Sequence, residues 1–218
     1  TYRAMARDKS SSQHATDWSP AISATTLDGT APTPADMGWS TAPYATGPSS
    51  ISMTATTATD PSGVQYYFKN VTIADGSHDS GWQDSETYND TGLDELTTYA
   101  YRVKARDKSS NHNENNWSSP DATATTEDGT APDPNPLTWS VEPYATGTTS
   151  ISMTATTATD DSGVQYYFEE TSGNPGGSDS GWQSGNTYVD DTLSESTQYT
   201  YRVKAQDMST NNNQTGWS

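Results

Sequence analysis

The stretch TYAYRVKARD, residues 98–107, decides the fold. Its apolar residues fall at every second position: Tyr99, Tyr101, Val103 and Ala105 on one side, Arg102, Lys104 and Arg106 on the other. That period of two is the signature of a β-strand with one face buried and one wet. SISMTATTATD at residues 50–60 reads the same way, with Ile51, Met53 and Ala55 opposed to Ser52, Thr54 and Thr56. It also recurs unchanged at residues 150–160.

Working outward, the register of 100 residues holds along the chain. GVQYYF occupies 63–68 and 163–168, SGWQ 80–83 and 180–183, and YRVKA 101–105 and 201–205. A period of this length makes each repeat a domain-sized unit, larger than a solenoid rung. Residues 1–18 match the phase of Tyr201–Trp217, so the chain reads as an excerpt of a longer array. DGTAP at 28–32 and again at 128–132 reads as the joint between units. The expected division is 1–29 as the C-terminal part of a preceding repeat, 30–129 as a complete repeat, and 130–218 as a repeat lacking its last strand. Residues 20–26 read as a closing strand of the first of these.

Helix signals are nearly absent, and Thr and Ser dominate with turn clusters between short β-like runs. Strands are expected near 37–41, 50–58, 64–71, 81–83, 87–91, 98–106 and 122–126. Seven short strands at that spacing predict an all-β fold: a tandem array of β-sandwich domains of about 100 residues. Only 29% of residues are apolar and Phe occurs twice, so each core is small and built on Tyr, Trp, Val, Ile and Met. The tryptophans of SGWQ (Trp82, Trp182) and of the WS motif (Trp117, Trp217) are expected in the core or between domains rather than as exposed platforms for sugar.

The run Leu93 to Val103 (LDELTTYAYRV) resembles the corner and following strand of fibronectin type III domains: a leucine, a polar turn, then Tyr-x-Tyr-x-Val. ARDKSSNHNENNWS, residues 105–118, is similar to the next loop in bacterial members of that family. The resemblance implies a seven-stranded sandwich in which the Tyr99 hydroxyl bonds back across the turn. Met53 stands where the family usually has a tryptophan, and Trp39 is the candidate to take its place. That departure leaves an Ig-like sandwich of slightly different strand order open.

On the family's strand order, the linker and two loops meet at one pole, which abuts the preceding domain. They bring Asp28, Asp60, Asp107 and Asn111 together, and in the next copy Asp128, Asp160, Asp161, Asp207 and Asn211. Oxygen donors from several loops suit Ca²⁺, which takes six to eight of them. The competing reading is that Asp and Asn simply make turns. Arg102, Lys104 and Arg106, with Arg202 and Lys204 in the next copy and Arg3 and Arg7 near the start, form a basic stripe. It is read either as a self-association surface for an acidic copy or as a solvated face with weak internal ion pairs. Asn-x-Ser/Thr triplets at Asn70, Asn89, Asn116 and Asn213 are candidate glycosylation sites, although chance alone supplies about 3.6 matches in this composition.

A net charge of −18 argues against a nucleic-acid partner, which needs clustered cations. The absence of cysteine excludes disulfides and thiolate chemistry. No apolar run approaches the length of a membrane span. His14, His78 and His112 do not recur as a set and no nucleophile motif appears, so no enzyme is expected. The expected role is a non-enzymatic structural or adhesive segment of a long extracellular surface protein, sheath or filament, with Ca²⁺ at its joints and self-association into a fibre. A rival is a carbohydrate-binding or spacer module of a secreted polysaccharide-degrading enzyme, with glycans as partners.

Overall fold

The computed structural model describes residues 1–218 and contains no helix. Seven strands build the first sandwich: β1 (Trp39–Gly47), β2 (Ser50–Ala55), β3 (Val64–Asn70), β4 (Trp82–Gln83), β5 (Thr87–Thr91), β6 (Thr98–Asp107) and β7 (Ala122–Thr125). They form a three-stranded sheet, β1-β2-β5, and a four-stranded sheet, β4-β3-β6-β7, with antiparallel neighbours in both. The second unit repeats this with β8 (Trp139–Ala145), β9 (Ile151–Ala155), β10 (Val164–Glu170), β11 (Thr187–Asp190) and β12 (Tyr201–Asp207). Its sheets are β11-β9-β8 and β10-β12, and an isolated bridge Tyr166↔Gln183 stands where the first unit has β4. Residues 1–27 are joined by the bridges Tyr2↔Ile22 and Arg7↔Ala15 and are almost wholly exposed.

Alternation places the core as the sequence implies. Tyr99, Tyr101, Val103 and Ala105 of β6 are buried, facing Ile51, Met53 and Ala55 of β2 across the sandwich, and Phe68 of β3 lies beside them. Trp39 packs on Phe68 with ring centroids 6.2 Å apart, and Tyr88 stacks on the same ring at 5.6 Å. The first strand begins and ends later than its expected span of 37–41. Met37 is a buried plug ahead of the ladder, and β1 is an irregular edge with three register shifts against β2. Such bulges erase the period of two that would reveal a strand.

The corner tyrosine behaves as the resemblance implies: the backbone N–H of Asp94 donates to Tyr99 Oη at 3.0 Å, and that of Ser194 to Tyr199 Oη at 2.9 Å. Deeper in the first core, Asp90 is almost wholly buried. It accepts hydrogen bonds from Tyr101 Oη (2.9 Å) and Asn70 Nδ2 (3.0 Å) and meets His78 Nδ1 at 2.7 Å. Burial and this contact with Asp90 push the Tyr101 hydroxyl far up. Asn70 is therefore corrected as a glycosylation site, since at 0% exposure its amide is locked to a buried carboxylate. Asn213 is half-buried, and its amide donates to Asp207 and to the carbonyl of Asp128. Asn89 is exposed on β5; Asn116 is also exposed, though its amide donates to Asp36.

A candidate cation centre at the interdomain joint

Asp107 ends β6 on the inward row that contains Tyr99, Tyr101, Val103 and Ala105, so its carboxylate points into the pole of the sandwich and is fully buried. The following loop folds back over it. Asp107 Oδ1 accepts from the backbone N–H groups of Ser109 (3.1 Å) and Asn113 (3.0 Å) and from the Ser109 hydroxyl (2.9 Å), while Oδ2 accepts from Asn113 Nδ2 at 2.7 Å. Burial pushes this carboxyl up, but the Asn113 and Ser109 hydrogen bonds prevail and hold it below the usual carboxylate range. Asp60 sits within the loop from β2 to β3, where Gly63 at φ 90° makes the turn and its N–H donates to Asp60 O at 3.0 Å. Asp28 comes from the linker. The three carboxylates converge: each offers an oxygen, and those oxygens lie within 4.8 Å of one another.

The second joint repeats the first with Asp128, Asp160 and Asp207. Asp128 is buried there, and its carboxylate accepts from the Ser162 hydroxyl and from the N–H of Thr130 at 3.1 Å. Burial, then repulsion from Asp128, Asp207 and Asp161, raises the Asp160 carboxyl above its ordinary value despite the hydrogen bond from Ser162. The group is thus short of compensating positive charge.

The linker itself is gripped from both sides. The amides of Asn211 (2.7 Å) and Asn213 (3.2 Å) donate to the carbonyl of Asp128, as Asn111 and Asn113 do to that of Asp28. From the preceding unit, Glu95 accepts from Gly129 N–H at 2.9 Å and from the Thr130 hydroxyl, and Glu127 N–H donates to Gly47 O at 3.2 Å. Gly129 has no room for a side chain, because an added Cβ would stand 2.6 Å from Pro48.

Two ligands of one Ca²⁺ with bonds of about 2.3–2.6 Å can stand up to about 5 Å apart, so the spacing of the three carboxylates fits such an ion, and all three donors are hard oxygens. The amide nitrogens of Asn111 and Asn211 donate to the linker carbonyls, which leaves the Oδ1 of each as the atom it could offer a cation. Asp161 stands outside the converging trio; it lines a groove of about 300 Å³ with Glu95, Asp133 and Asp160. Sequence reasoning missed Asn113, and took Asn213 only for a glycosylation site. The available signal was their recurrence at a fixed six-residue distance from Asp107 and Asp207.

The basic stripe is occupied within its own unit. Arg102 pairs with Asp121 at 2.8 Å, and Arg106 bonds Gln65 while lying over Trp82. Lys104 pairs with Glu114 and sits between the rings of Trp82 and Trp117, 5.3 and 4.8 Å from their centroids. In the second unit Arg202 pairs with Glu169 and covers Trp217, and Lys204 bonds Gln214 and lies over Trp182 and Trp217. Near the start, Arg7 bonds Gln13. These tryptophans are therefore corrected: they stand on the outer face of the sheet, covered by cations and by Tyr67 or Tyr167, rather than in the core. Outward-facing rings in a chain of few apolar residues are half-buried by cation–π contact, which the apolar count alone does not anticipate.

No family model matches the chain, and no curated protein is similar to it in sequence. Among solved structures it is similar to the chicken CNTN1 FN1-FN3 domains, at 12% identity and a TM-score of 0.34, over 97% of this chain and 73% of that one.

Proposed function

We propose that this chain is a non-catalytic structural or adhesive segment of a long extracellular surface protein, sheath or filament, built from fibronectin type III-like sandwiches whose joints take up Ca²⁺. One observation carries this reading: three carboxylates from three different segments, one of them the linker, converge at the same pole of each unit. A bound cation would cancel their mutual repulsion and tie the linker to the two loops. Asp28, Asp60 and Asp107 would hold it at one joint, Asp128, Asp160 and Asp207 at the next. Recurring identical joints suit a rod or fibre. The histidines support no shared chemistry: His78 faces Asp90, His14 stands beside Asp8, and His112 sits in a loop.

Calorimetric titration of the chain with Ca²⁺, with Mg²⁺ as control, tests the reading together with X-ray scattering with and without chelator. Binding at two sites and a longer maximum dimension with Ca²⁺ are expected. Asp107→Asn with Asp207→Asn should weaken binding at least tenfold, whereas Asp161→Asn should leave it within about twofold. A ligand present at 100 times its dissociation constant adds about 2.7 kcal/mol of stability, so the melting temperature should rise as well. No heat of binding, with unchanged dimension and melting temperature, would sink the proposal.

A further inference from the structure

The outer faces of the three-stranded sheets differ from the rest of the molecule. Apart from Glu142, which stands in the bulge of β8, their outward positions carry no charged side chain in a protein of net charge −18. Beyond the first 27 residues, six large apolar side chains are exposed, and four of them lie here: Tyr44 (50%), Val141 (44%), Tyr144 (51%) and Val189 (50%). Cross-strand register gathers them. Tyr144 and Val189 flank Ser152 from either side, and Tyr44 stands beside Ser52 at the matching place in the first unit. The remaining outward positions are Ser, Thr or Asn, whose methyl and hydroxyl groups are compatible with a dry or a wet contact.

We propose that this face is where copies of the chain associate side by side. Charge decides the occupant. Two copies, each at −18, repel one another on most approaches, and, Lys69 apart, the cations that would draw an acidic copy to the four-stranded sheet are already paired or stacked on tryptophan. The uncharged face is the one on which a second copy buries apolar surface while bringing few carboxylates together, and it is its own complement. Concentrated apolar exposure on an otherwise polar surface marks an interaction site. The inference rests on the fibre reading above but uses a surface away from the joints.

Sedimentation velocity of the 218-residue chain in chelator, at about 50 mM and about 1 M NaCl, tests it, because the screening length falls from roughly 14 Å to 3 Å over that range. Self-association should strengthen at least tenfold with salt. Val189→Glu with Tyr144→Glu should lower it at least tenfold without changing the melting temperature, and Tyr144→Ser should lower it less. A chain that is monomeric at both salts overturns the proposal. Association that weakens with salt also overturns it and returns the contact to the basic stripe. So does a neutral oligosaccharide that binds these tyrosines while the chain stays monomeric. Because chelator is present throughout, failure of the Ca²⁺ joints would leave the salt response intact, and the two readings fail separately.

Discussion

Asn213 holds Asp207 in place: its Nδ2 lies 2.7 Å from Asp207 Oδ2 and, at 3.2 Å, also reaches the carbonyl of Asp128 in the linker. One amide thus links the end of β12 to the segment that enters the unit. Asn113 does the same for Asp107 and Asp28.

Replacing Asn213 with Ala removes a donor from a buried carboxylate and from a carbonyl together. The expected cost is about 2 kcal/mol, within the range for hydrogen bonds to charged groups. Denaturant melts would read it, and limited proteolysis should cut the linker near Gly129 sooner than in the parent chain.

The two kinds of carboxylate at the joints respond to acid in opposite directions. Asp107 is held below its ordinary value, so its contribution is present above the unfolded carboxylate pKa of about 4 and is lost as pH falls through the lowered value. Asp160 is raised, so the unfolded chain ionises first, and stability falls as pH climbs from about 4 through the raised value. In chelator, melting temperature should fall from about pH 4 towards neutral and then level off. Asp160→Asn should remove that fall, and Ca²⁺ should flatten it in the parent chain. A fall that persists in Asp160→Asn would assign it elsewhere.

At the corner, Tyr99→Phe deletes the acceptor of the Asp94 N–H and should cost on the order of 1 kcal/mol. Tyr199→Phe should cost more, because Tyr199 Oη also donates to Pro175 O at 2.6 Å. Val103→Ala in the core should exceed the Tyr99 change, being fully buried. Paired melts of the three variants give the order directly.

His112 adopts φ 49°, and its counterpart Asn212 the same value. Asn tolerates the left-handed region better than His, so His112→Asn should stabilise the first unit by a few tenths of a kcal/mol. A neutral or negative shift in melting temperature would show that the His ring makes a compensating contact.

Most of the fold was legible because strands with one wet face announce themselves: β2, β3, β5 and β6 begin where their alternation begins. β1 was displaced because a bulged edge strand obeys no period. The carboxylates of the joint were legible as repeats, and three of the residues named for each place converge. What the sequence hid was direction. The amide nitrogens of Asn111 and Asn211 turn to the linker carbonyls, and the outward tryptophans were hidden because cations, contributed by a neighbouring strand, provide their cover.

The poles of a unit also set how it would carry a load. In the first sandwich the chain enters beside Asp107, at the far end of β6, and leaves past Glu127, which is bonded to Gly47 at the opposite end of β1. A pull along the array therefore runs the full length of the sandwich, loading β1 along its partner β2 and β7 along its partner β6 instead of peeling either strand from its sheet. Hydrogen bonds loaded together in this way yield abruptly, one unit at a time. Stretched arrays would lengthen in steps of a single repeat.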